Sequence, residues 1–511
     1  MEVELKLLLD PADNARLIAH PLIASHARAP MRTQDLSAHY FDTPDLHLLH
    51  HDAGLRVRKM DGEWIQTMKA GGSVQSGLHQ RNEWENVVSH AWPQLGKLRK
   101  AIGAHSEWRA MLDAPDLKDR LEVLFAVKVE RSSWDLDYQG SQIELVLDQG
   151  HIERHGKRDD INEIELELKS GDPASLFEFA LQLLDDIPLR LSNSSKAERG
   201  YALCRDTGTV IAKAAPLTLR EDANAAQALT AILSNCLDQI QRNEPAVIGS
   251  DNSEAVHQMR VGVRRLRSAL KLFEETIECP APLLDDIAWL GAQLGSARDW
   301  EVLLESTLAR VSDTPGGQSG MMELQNLVLQ TARGQRGQAV QALLSPRYAR
   351  LLLSLGLWMQ RLPGASDGAD AHDNPLAAAA DDFAHHTIQR LHKKMQRRAE
   401  ATIDEDEHAV HRLRIAGKRA RYAVEFFSSL YKPRSAKRFL DTLSEMQDAL
   451  GLHNDVVVAE RLLRELQDHH PHAGAAIGYA RGYLQAQQAC EASNVADFRL
   501  LVRLLRPPRR A

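Results

Sequence analysis

Two short acidic segments have the side chains and the spacing of a metal or phosphate site. The first is Glu2-Val3-Glu4-Leu5-Lys6, and the second is Glu163-Ile164-Glu165-Leu166-Glu167. Side chains of a β-strand alternate between two faces, so each segment would place its charged residues in one row. We expect the two rows to face the same cavity. The alternative for either strand alone is a polar face that points to solvent.

Basic residues occur in rows of the same kind. Arg56 and Arg58 share a face of one predicted strand, and Arg81 shares a face with Glu83 and Glu85 on another. Guanidinium and ammonium groups bind polyanionic oxygens, whereas carboxylate rows would repel a polyanion unless they hold hard divalent cations. Mg²⁺ bridges carboxylates to phosphate oxygens, and phosphoryl transfer needs mainly positioning and charge neutralisation. Rows of both signs in one cavity therefore predict a metal–polyphosphate site.

The elements that must position these rows belong to a strand-rich α+β domain over residues 1–205. About eight strands are predicted, among them Gly54–Met60 and Glu63–Ala70, which Asp61-Gly62 would join as a hairpin. Eight strands are enough to close a sheet on itself. A closed sheet with a polar interior and an exterior covered by helices explains rows of both signs better than a set of solvated strands does.

The composition narrows the class of protein. The chain has 511 residues and a net charge of −8, which speaks against a general nucleic-acid binder. Its four cysteines form no CxxC pair, which is typical of a reducing compartment and leaves no disulfide framework. No apolar run approaches the roughly 20 residues of a membrane span, and the chain begins directly on a charged strand. We therefore expect a cytoplasmic protein without a signal peptide or a membrane segment.

The character of the chain changes after a predicted linker at residues 206–219. Residues 220–505 are predicted to be all-α, with an interruption at 362–375 that divides them into halves at about 220–362 and 376–505. The halves share an internal repeat, HQMRVGVRR at residues 257–265 and HRLRIAGKR at residues 411–419. The repeat predicts duplication of a helical unit.

Each copy of the repeat carries a basic stripe headed by a histidine. Positions separated by 3, 7 and 10 residues lie on one side of a helix, which groups His257 with Arg260 and Arg264 and groups His411 with Arg414 and Lys418. A solvated cationic face is one reading. Because like charges repel along a helix, a counter-charge is expected, either internal or an external polyanion. The paired histidines and the repeat favour the external polyanion.

The first domain resembles the CYTH family, the triphosphate tunnel metalloenzymes. Glu2-x-Glu4-x-Lys6 is similar to the family's ExExK signature, and further motifs follow in family order at residues 40–44, 55–58, 66–69, 78–85, 147–150, 163–168 and 195–200. The resemblance implies an eight-stranded antiparallel tunnel that hydrolyses triphosphates with Mg²⁺ or Mn²⁺. It implies catalytic roles for Lys6 and Tyr40. The implied phosphate-binding residues are Arg56, Arg58, Lys69, Lys128 and Lys196. We add Arg81 and Arg131, cations on predicted strands of the same domain. The implied metal-binding carboxylates are Glu2, Glu4, Glu85, Asp148, Glu165 and Glu167.

Within that set, Lys128 and Arg131 differ in parity along one strand. Both would face inward only if the strand carried a bulge.

The second domain resembles the CHAD family, helical modules that often follow a CYTH domain. The resemblance implies two pseudo-repeated four-helix bundles and a basic groove that binds inorganic polyphosphate. The implied polyphosphate-binding residues are His257, Arg260, Arg264, Arg265, His411, Arg414, Lys418 and Arg419.

The sequence thus predicts a metal-dependent inorganic triphosphatase whose helical domain binds polyphosphate. Adenylate cyclase and thiamine triphosphatase activities are alternatives on the same fold, and a polyphosphate-binding protein with an inactive tunnel is a third. Nucleic acid is a weaker partner, because the basic helices carry few aromatic residues for stacking. The physiological substrate, the preferred metal and the oligomeric state stay open.

Overall fold

The structure is a computed structural model, and it describes residues 2–60, 62–103, 105–205, 210–312, 320–362, 375–401, 407–491 and 501–510. The chain forms two compact units. The first contains Met1–Val210 together with Leu344–Arg361, and the second contains Ile211–Leu343 together with Leu362–Ala511.

One antiparallel sheet forms the first unit. Its strands are β1 (Glu2–Leu9), β2 (Arg32–Asp42), β3 (Ala53–Met60), β4 (Glu63–Gln75), β5 (Leu78–Val88), β6 (Glu122–Tyr138), β7 (Ser141–Arg154), β8 (Lys157–Ser170) and β9 (Leu189–Leu191). Strand β1 pairs with β8 on one side and with β5 on the other, which closes β1 to β8 into a ring. The predicted eight-stranded antiparallel tunnel is therefore confirmed. The short β9 adds to the second half of β1.

Helices surround the ring. They are α1 (Asn14–Ile18), α2 (Pro21–His26), α3 (His47–His50), α4 (Leu95–Ile102), α5 (Glu107–Leu112), α6 (Leu117–Arg120), α7 (Ala174–Asp186) and α8 (Lys196–Leu203). The outer faces of β3 to β5 supply Leu55, Val57 and Met68 to one core, which α4 to α6 cover with Leu98 and Leu112 among others. Alternation along the strands thus sends apolar side chains outward to the helices and leaves the interior to the polar rows.

One end of the ring interior is closed by apolar side chains. Phe125, Val127 and Val129 of β6 pack there with Tyr40 of β2 and Tyr201 of α8. At Gly200 of α8, a Cβ atom would lie 2.1 Å from Phe125 Cε2, so only glycine permits this approach. Helix α8 is thereby held at the closed end, and its first residue, Lys196, reaches the polar part of the interior.

The second unit is helical. Its helices are α9 (Ala225–Gly249), α10 (Ser253–Leu272), α11 (Ala281–Val302), α12 (Ala309–Ser312), α13 (Met321–Leu344), α15 (Ala380–Glu400), α16 (Glu407–Phe426), α17 (Pro433–His469) and α18 (Gly474–Glu491), with α14 (Pro346–Gln360) lying between α13 and α15 in sequence. A π-helical turn, Leu303–Leu308, connects α11 to α12. The predicted all-α character of this part is confirmed.

Helix α14 groups with the first unit, although the sequence placed residues 346–360 in the helical domain. It packs on α7 and β9. At Gly356, a Cβ atom would lie 2.3 Å from Phe177 Cε1, so a bulkier residue would separate the two helices.

The two copies of the repeat lie on α10 and α16, which contact each other. Arg265 of α10 pairs with Glu425 of α16 at 3.0 Å. Phe273 and Phe427, which follow the two copies at equivalent positions, have ring centroids 6.4 Å apart. The stripes of the two copies therefore belong to adjacent helices.

Among the described helices, none combines the length and the apolar character needed to cross a membrane.

Candidate active site

The interior of the ring contains a polar cavity of about 330 Å³, which we call the tunnel. All but two of the residues predicted for the first domain line it. They are Glu2, Glu4, Lys6, Tyr40, Arg56, Arg58, Lys69, Arg81, Glu85, Arg131, Glu165, Glu167 and Lys196. The two exceptions are Lys128 and Asp148.

Strand register brings the acidic rows together. Glu4 of β1 lies opposite Glu167 of β8, and Lys6 lies opposite Glu165. On the other side of β1, Glu2 lies opposite Arg81 of β5. Since the rows share one parity along their strands, they line the same wall, as the sequence predicted.

Lys6 sits between two carboxylates and is almost fully buried. Its Nζ lies 3.0 Å from Glu4 and also contacts Glu165. Burial alone would lower the pKa of Lys6, but Glu165 and Glu4 outweigh burial and raise that pKa. Lys6 is therefore a permanent ammonium at neutral pH. It can donate hydrogen bonds to a phosphate or to water, but it cannot act as a general base.

Lys196 fills a cluster of three buried carboxylates. Its Nζ lies 2.7 Å from Asp148, 2.6 Å from Glu163 and 2.9 Å from Glu165. Ligand atoms of these three acids lie within 4.8 Å of one another, which is the spacing of a metal site. Because the ammonium group already supplies the cation, this cluster is a buried ion-pair network that anchors α8 to β7 and β8.

Asp148 belongs to that network. Its side chain is fully buried and accepts hydrogen bonds from Arg131 Nε at 2.7 Å and Arg131 Nη2 at 2.6 Å. Burial would raise the pKa of Asp148, but Lys196 and Arg131 lower it. Asp148 was predicted to support a metal in the tunnel. In the structure it is not part of the tunnel lining, and its oxygens pair with Arg131 and Lys196.

A second group of carboxylates lies open to the tunnel. Burial raises the pKa of Glu167, and Glu2 and Glu144 add to that rise against the opposing effect of Lys169. Burial likewise raises the pKa of Glu83, and Glu2 contributes to that shift as well. The raised pKa values show that the neighbouring cations, Lys69 and Lys169, do not fully offset burial and the repulsion between these carboxylates. Oxygen ligands are those that Mg²⁺ and Mn²⁺ prefer. This wall therefore fits a divalent cation.

The sequence analysis omitted Glu83, Glu144 and Lys169 from the site. All three line the tunnel. The signal was available in the alternation, since Glu83 lies two positions before Glu85, and Lys169 lies two positions after Glu167. Glu144 and Lys169 form an ion pair at 2.8 Å.

The opposite side of the tunnel carries arginines. Arg56 and Arg58 project from β3, and the Nε atom of each is buried without a hydrogen-bond partner among the described residues. Burial lowers the pKa of Arg58 to about 10, and Arg56 contributes to the shift. Buried donors that lack acceptors mark a place where anionic oxygens would be accommodated. Tyr40 lies opposite Arg56 and stacks on Phe125, with ring centroids 4.7 Å apart.

Lys128 does not reach the tunnel. Strand β6 keeps continuous register with β7 from Lys128 to Arg131, so the bulge that would turn both residues inward is absent there. Lys128 pairs with Glu153 at 2.6 Å on the outer face. Arg131 faces the tunnel and pairs with Asp148 and Glu165. The prediction for Lys128 is corrected, and Arg131 takes the inward position.

In the helical unit, the facing sides of α10 and α16 form a basic surface, which we call the groove. It carries Arg260, Arg264, Arg414 and Lys418, which act on one another electrostatically. Burial lowers the pKa of Lys418 to about 7, and Arg414 and Arg264 add to that shift. Lys418 has no carboxylate partner within the described part of the chain.

Of the other predicted groove residues, Arg265 differs from expectation. Arg265 is 2% exposed and binds Glu425, Gln239 at 3.0 Å and Asn235 at 2.8 Å, so it joins helices and offers nothing to a ligand. The side chain of His411 lies outside the described residues. His257 is half-buried, and burial together with Arg298 lowers its pKa.

Beside Arg264 and Lys418 the groove deepens into a cavity of about 600 Å³, which we call the side cavity. Arg267, Lys271 and Arg419 also line it. The predicted Arg419 thus lies with Lys418 at this end of the groove.

Comparison with known proteins finds two family models along the chain. Residues 1–201 match the CYTH domain model, and residues 231–464 match the CHAD domain model. The "Inorganic triphosphatase" of Haemophilus influenzae is 33% identical over 203 residues, which cover 40% of this chain and 54% of that protein. The chain therefore spans about half the length of this curated relative.

Two further matches extend into the helical unit. An uncharacterized protein of Mycobacterium tuberculosis is 27% identical over 85% of this chain and 82% of its own length. A crystal structure of the CHAD domain from the plant Ricinus communis is 48% identical, covers 60% of this chain and 100% of its own, and superimposes with a TM-score of 0.54. From these matches and the closed ring, the chain consists of a CYTH domain at residues 1–201 followed by a CHAD domain at residues 231–464.

Proposed function

We propose that the tunnel hydrolyses inorganic triphosphate to diphosphate and phosphate with the aid of Mg²⁺ or Mn²⁺. The observation that carries this proposal is the coexistence, in one cavity, of a cluster of carboxylates and two arginines whose buried Nε donors have no acceptor among the described residues. A site for an anion alone would not need the carboxylates. The 33% identity to a protein called inorganic triphosphatase supports the choice of substrate.

Each wall has a separate role in this proposal. Glu2, Glu4 and Glu167 would hold the divalent cation, with Glu83 and Glu144 beside them. When bound, the cation would neutralise charge on the phosphate oxygens and lower the energy of the phosphoryl transition state. Divalent charge would also compensate the repulsion that now raises the pKa of Glu167.

The cationic side chains would hold the substrate. Arg56 and Arg58 offer buried Nε donors, and Lys69 and Arg81 lie on the neighbouring strands β4 and β5. Lys6 keeps its proton, so it would donate to an oxygen of the terminal phosphate and orient water. Such positioning and charge neutralisation supply most of the catalysis in phosphoryl transfer.

A substrate panel tests the activity. Phosphate release from tripolyphosphate, ATP and thiamine triphosphate would be measured with Mg²⁺, with Mn²⁺ and with EDTA, together with an assay for cyclic AMP. We expect the highest kcat/KM for tripolyphosphate and none in EDTA. A preference for thiamine triphosphate, or production of cyclic AMP, would assign one of the two alternative activities. Absence of all activity would leave an anion-binding tunnel.

Two variants connect the activity to the tunnel. Lys6→Ala and Glu4→Ala should abolish release of phosphate while far-ultraviolet circular dichroism stays unchanged. Rates close to wild type in both variants would overturn the site assignment.

We also propose that the groove of the helical unit binds inorganic polyphosphate. The supporting observation is the set of cations without carboxylate partners, Arg264 and Lys418 among the described residues. Binding dominated by phosphate contacts loses affinity steeply as salt increases, because counterions are released. The logarithm of the affinity for a long-chain polyphosphate should therefore decrease linearly with the logarithm of the salt concentration. An affinity that does not depend on salt would contradict the proposal.

A further inference from the structure

The side cavity combines two kinds of lining that a bare polyphosphate would not use together. Part of the lining is cationic and includes Arg264, Arg267 and Lys418. Another part is apolar and consists of Leu284 and Ile287 of α11 and Ile415 of α16. Leu284 and Ile415 are 43% and 40% exposed, which places them among the most exposed large hydrophobic residues of the described chain. Apolar surface next to an anion site remains wet unless the ligand covers it.

Arg264 and Lys418 have no carboxylate partner among the described residues, whereas Lys271 in the same lining pairs with Glu274. Lys418 lies beside Arg414 and Arg421 on α16 and beside Arg260 and Arg264 on α10, and all of these repel it. The Nε atom of Arg264 is buried and has no hydrogen-bond partner among the described residues. This part of the lining therefore requires an anion.

The cavity lining also includes carboxylates. They are those of Glu274 and Glu278, and Glu274 pairs with Lys271. Carboxylates at this point repel the continuation of an inorganic polyanion but accept hydrogen bonds from hydroxyl or amino groups. Ser268 lies at the same cavity, and its hydroxyl donates to the Arg264 carbonyl at 2.8 Å, which leaves its lone pairs free to accept.

From these three linings we propose that the side cavity binds a nucleoside polyphosphate. The phosphate chain would lie along the groove on Arg264, Arg267 and Lys418. The base would cover Leu284 and Ile415, and the ribose hydroxyls or an exocyclic amine would donate to Glu274 or Glu278. This inference rests on the proposed polyphosphate-binding role of the groove and adds to it a preference for an organic group at one end.

A cavity of about 600 Å³ is in the size range of small-molecule sites. An acyl chain would need a longer apolar surface than these aliphatic side chains provide. A base is short and flat, and it carries polar edges that match the carboxylates and Ser268.

Binding would be measured by isothermal titration calorimetry with ATP and with tripolyphosphate, on the full chain in EDTA. Both titrations would use a variant with Arg56→Ala and Arg58→Ala, in which binding to the tunnel is weakened. ATP carries less negative charge than tripolyphosphate, so charge alone ranks it as the weaker ligand. We expect the reverse order, with ATP about tenfold tighter, because its base covers apolar surface.

Variants separate the apolar contact from the charge. Leu284→Ser with Ile415→Ser should remove the advantage of ATP and leave the affinity for tripolyphosphate within about twofold. Met322→Ser is the matched control, because Met322 is 75% exposed on α13 and lies outside the cavity lining. Photolabelling with 8-azido-ATP should modify peptides that contain Ile415 or Leu284, and excess ATP should prevent it.

The outcomes distinguish this inference from the proposal on which it rests. If tripolyphosphate binds the groove and ATP binds no tighter, or if labelling maps only to the tunnel, the nucleotide site is wrong and polyphosphate binding stands. If neither ligand binds the helical unit, both are wrong.

Discussion

The tunnel and the groove both contain several cationic side chains, but they differ in how far carboxylates balance those charges. Every cation that lines the tunnel pairs with a carboxylate, as Lys69 does with Glu2 and Arg81 does with Glu198 at 2.9 Å. In the groove, Arg264 and Lys418 have no carboxylate partner among the described residues. A site that must hold a metal and an anion needs both signs, whereas a site for a polyanion alone needs only one.

This difference has opposite consequences for stability. Buried cations of the tunnel compensate buried carboxylates, so removing one leaves an unpaired charge in the interior. Arg264 and Lys418 of the groove have no such partner among the described residues and repel each other, so removing them relieves repulsion. The predictions below test this contrast, beginning with the largest effect.

Lys196→Met should both inactivate and destabilise the protein. It would leave Asp148 and Glu163, whose side chains are fully buried, without their shared cation. We expect a loss of about 3–5 kcal/mol in the free energy of unfolding. Measurement is by chemical denaturation, with Lys128→Met as the matched control on the outer face. Because Lys196 lowers the pKa of Asp148, its stabilising effect is lost as that carboxylate becomes protonated, so the difference should shrink at low pH. Equal stability of the two variants would contradict the ion-pair network.

Replacing Arg260, Arg264, Arg414 and Lys418 together with alanine should have the converse result. Affinity for polyphosphate should fall by about 100-fold or more at low salt, because several phosphate contacts disappear. The free energy of unfolding should stay unchanged or rise. Calorimetric titration and thermal denaturation measure the two quantities. A loss of stability as large as that of Lys196→Met would contradict the contrast between the tunnel and the groove.

The pH dependence of polyphosphate binding should reveal Lys418. Its pKa of about 7 in the free protein lies below the ordinary value, and a bound polyanion would favour the charged form. Binding would therefore take up a proton above pH 7, and affinity should fall by about tenfold between pH 6 and pH 9. Titrations in buffers of different ionisation enthalpy measure the proton uptake.

Lys418→Arg should keep the affinity and lose its dependence on pH, because arginine stays charged throughout this range. Lys418→Met should weaken binding at pH 6 and also remove the dependence. Persistence of the full dependence in both variants would assign the proton to another group, such as His257.

The smallest expected effect on activity is that of Lys128→Ala, which we compare with Arg131→Ala on the same strand, β6. Lys128→Ala should leave triphosphatase activity within about twofold of wild type, because its exposed pair with Glu153 contributes little. Arg131→Ala should lower kcat by at least about tenfold, since it releases Asp148 and Glu165 from their positions. Steady-state kinetics compares the two variants. A larger loss of activity in Lys128→Ala than in Arg131→Ala would support the phosphate-binding role that the family resemblance gave to Lys128.

Local patterns predicted much of the site. Alternation placed Glu2, Glu4 and Lys6 on one face, and the structure keeps them there. The same rule placed Lys128 and Arg131 on opposite faces of their strand, and the structure does so too. The family resemblance had placed Lys128 in the tunnel. On α10, Arg265 lies eight residues after His257 and off the basic stripe; the family resemblance assigned it to polyphosphate, and the structure buries it between helices instead.

Other features were beyond a local pattern. Asp148 shares a strand face with Glu144, yet it lies beneath the wall because Arg131 and Lys196 fold over it. The apolar lining of the side cavity includes Leu284 of α11 and Ile415 of α16. No local pattern in either segment predicts that these two residues line one cavity.

The sequence by itself determined which side chains share a face, because alternation on a strand and periodicity on a helix are fixed by local backbone geometry. Only the tertiary structure decided which charges meet. Lys6 and Glu165 are separated by 159 residues, and their pairing depends on the register of β1 with β8 when the ring closes. Closure turns two ordinary alternating strands into a wall that can hold a metal and a phosphate.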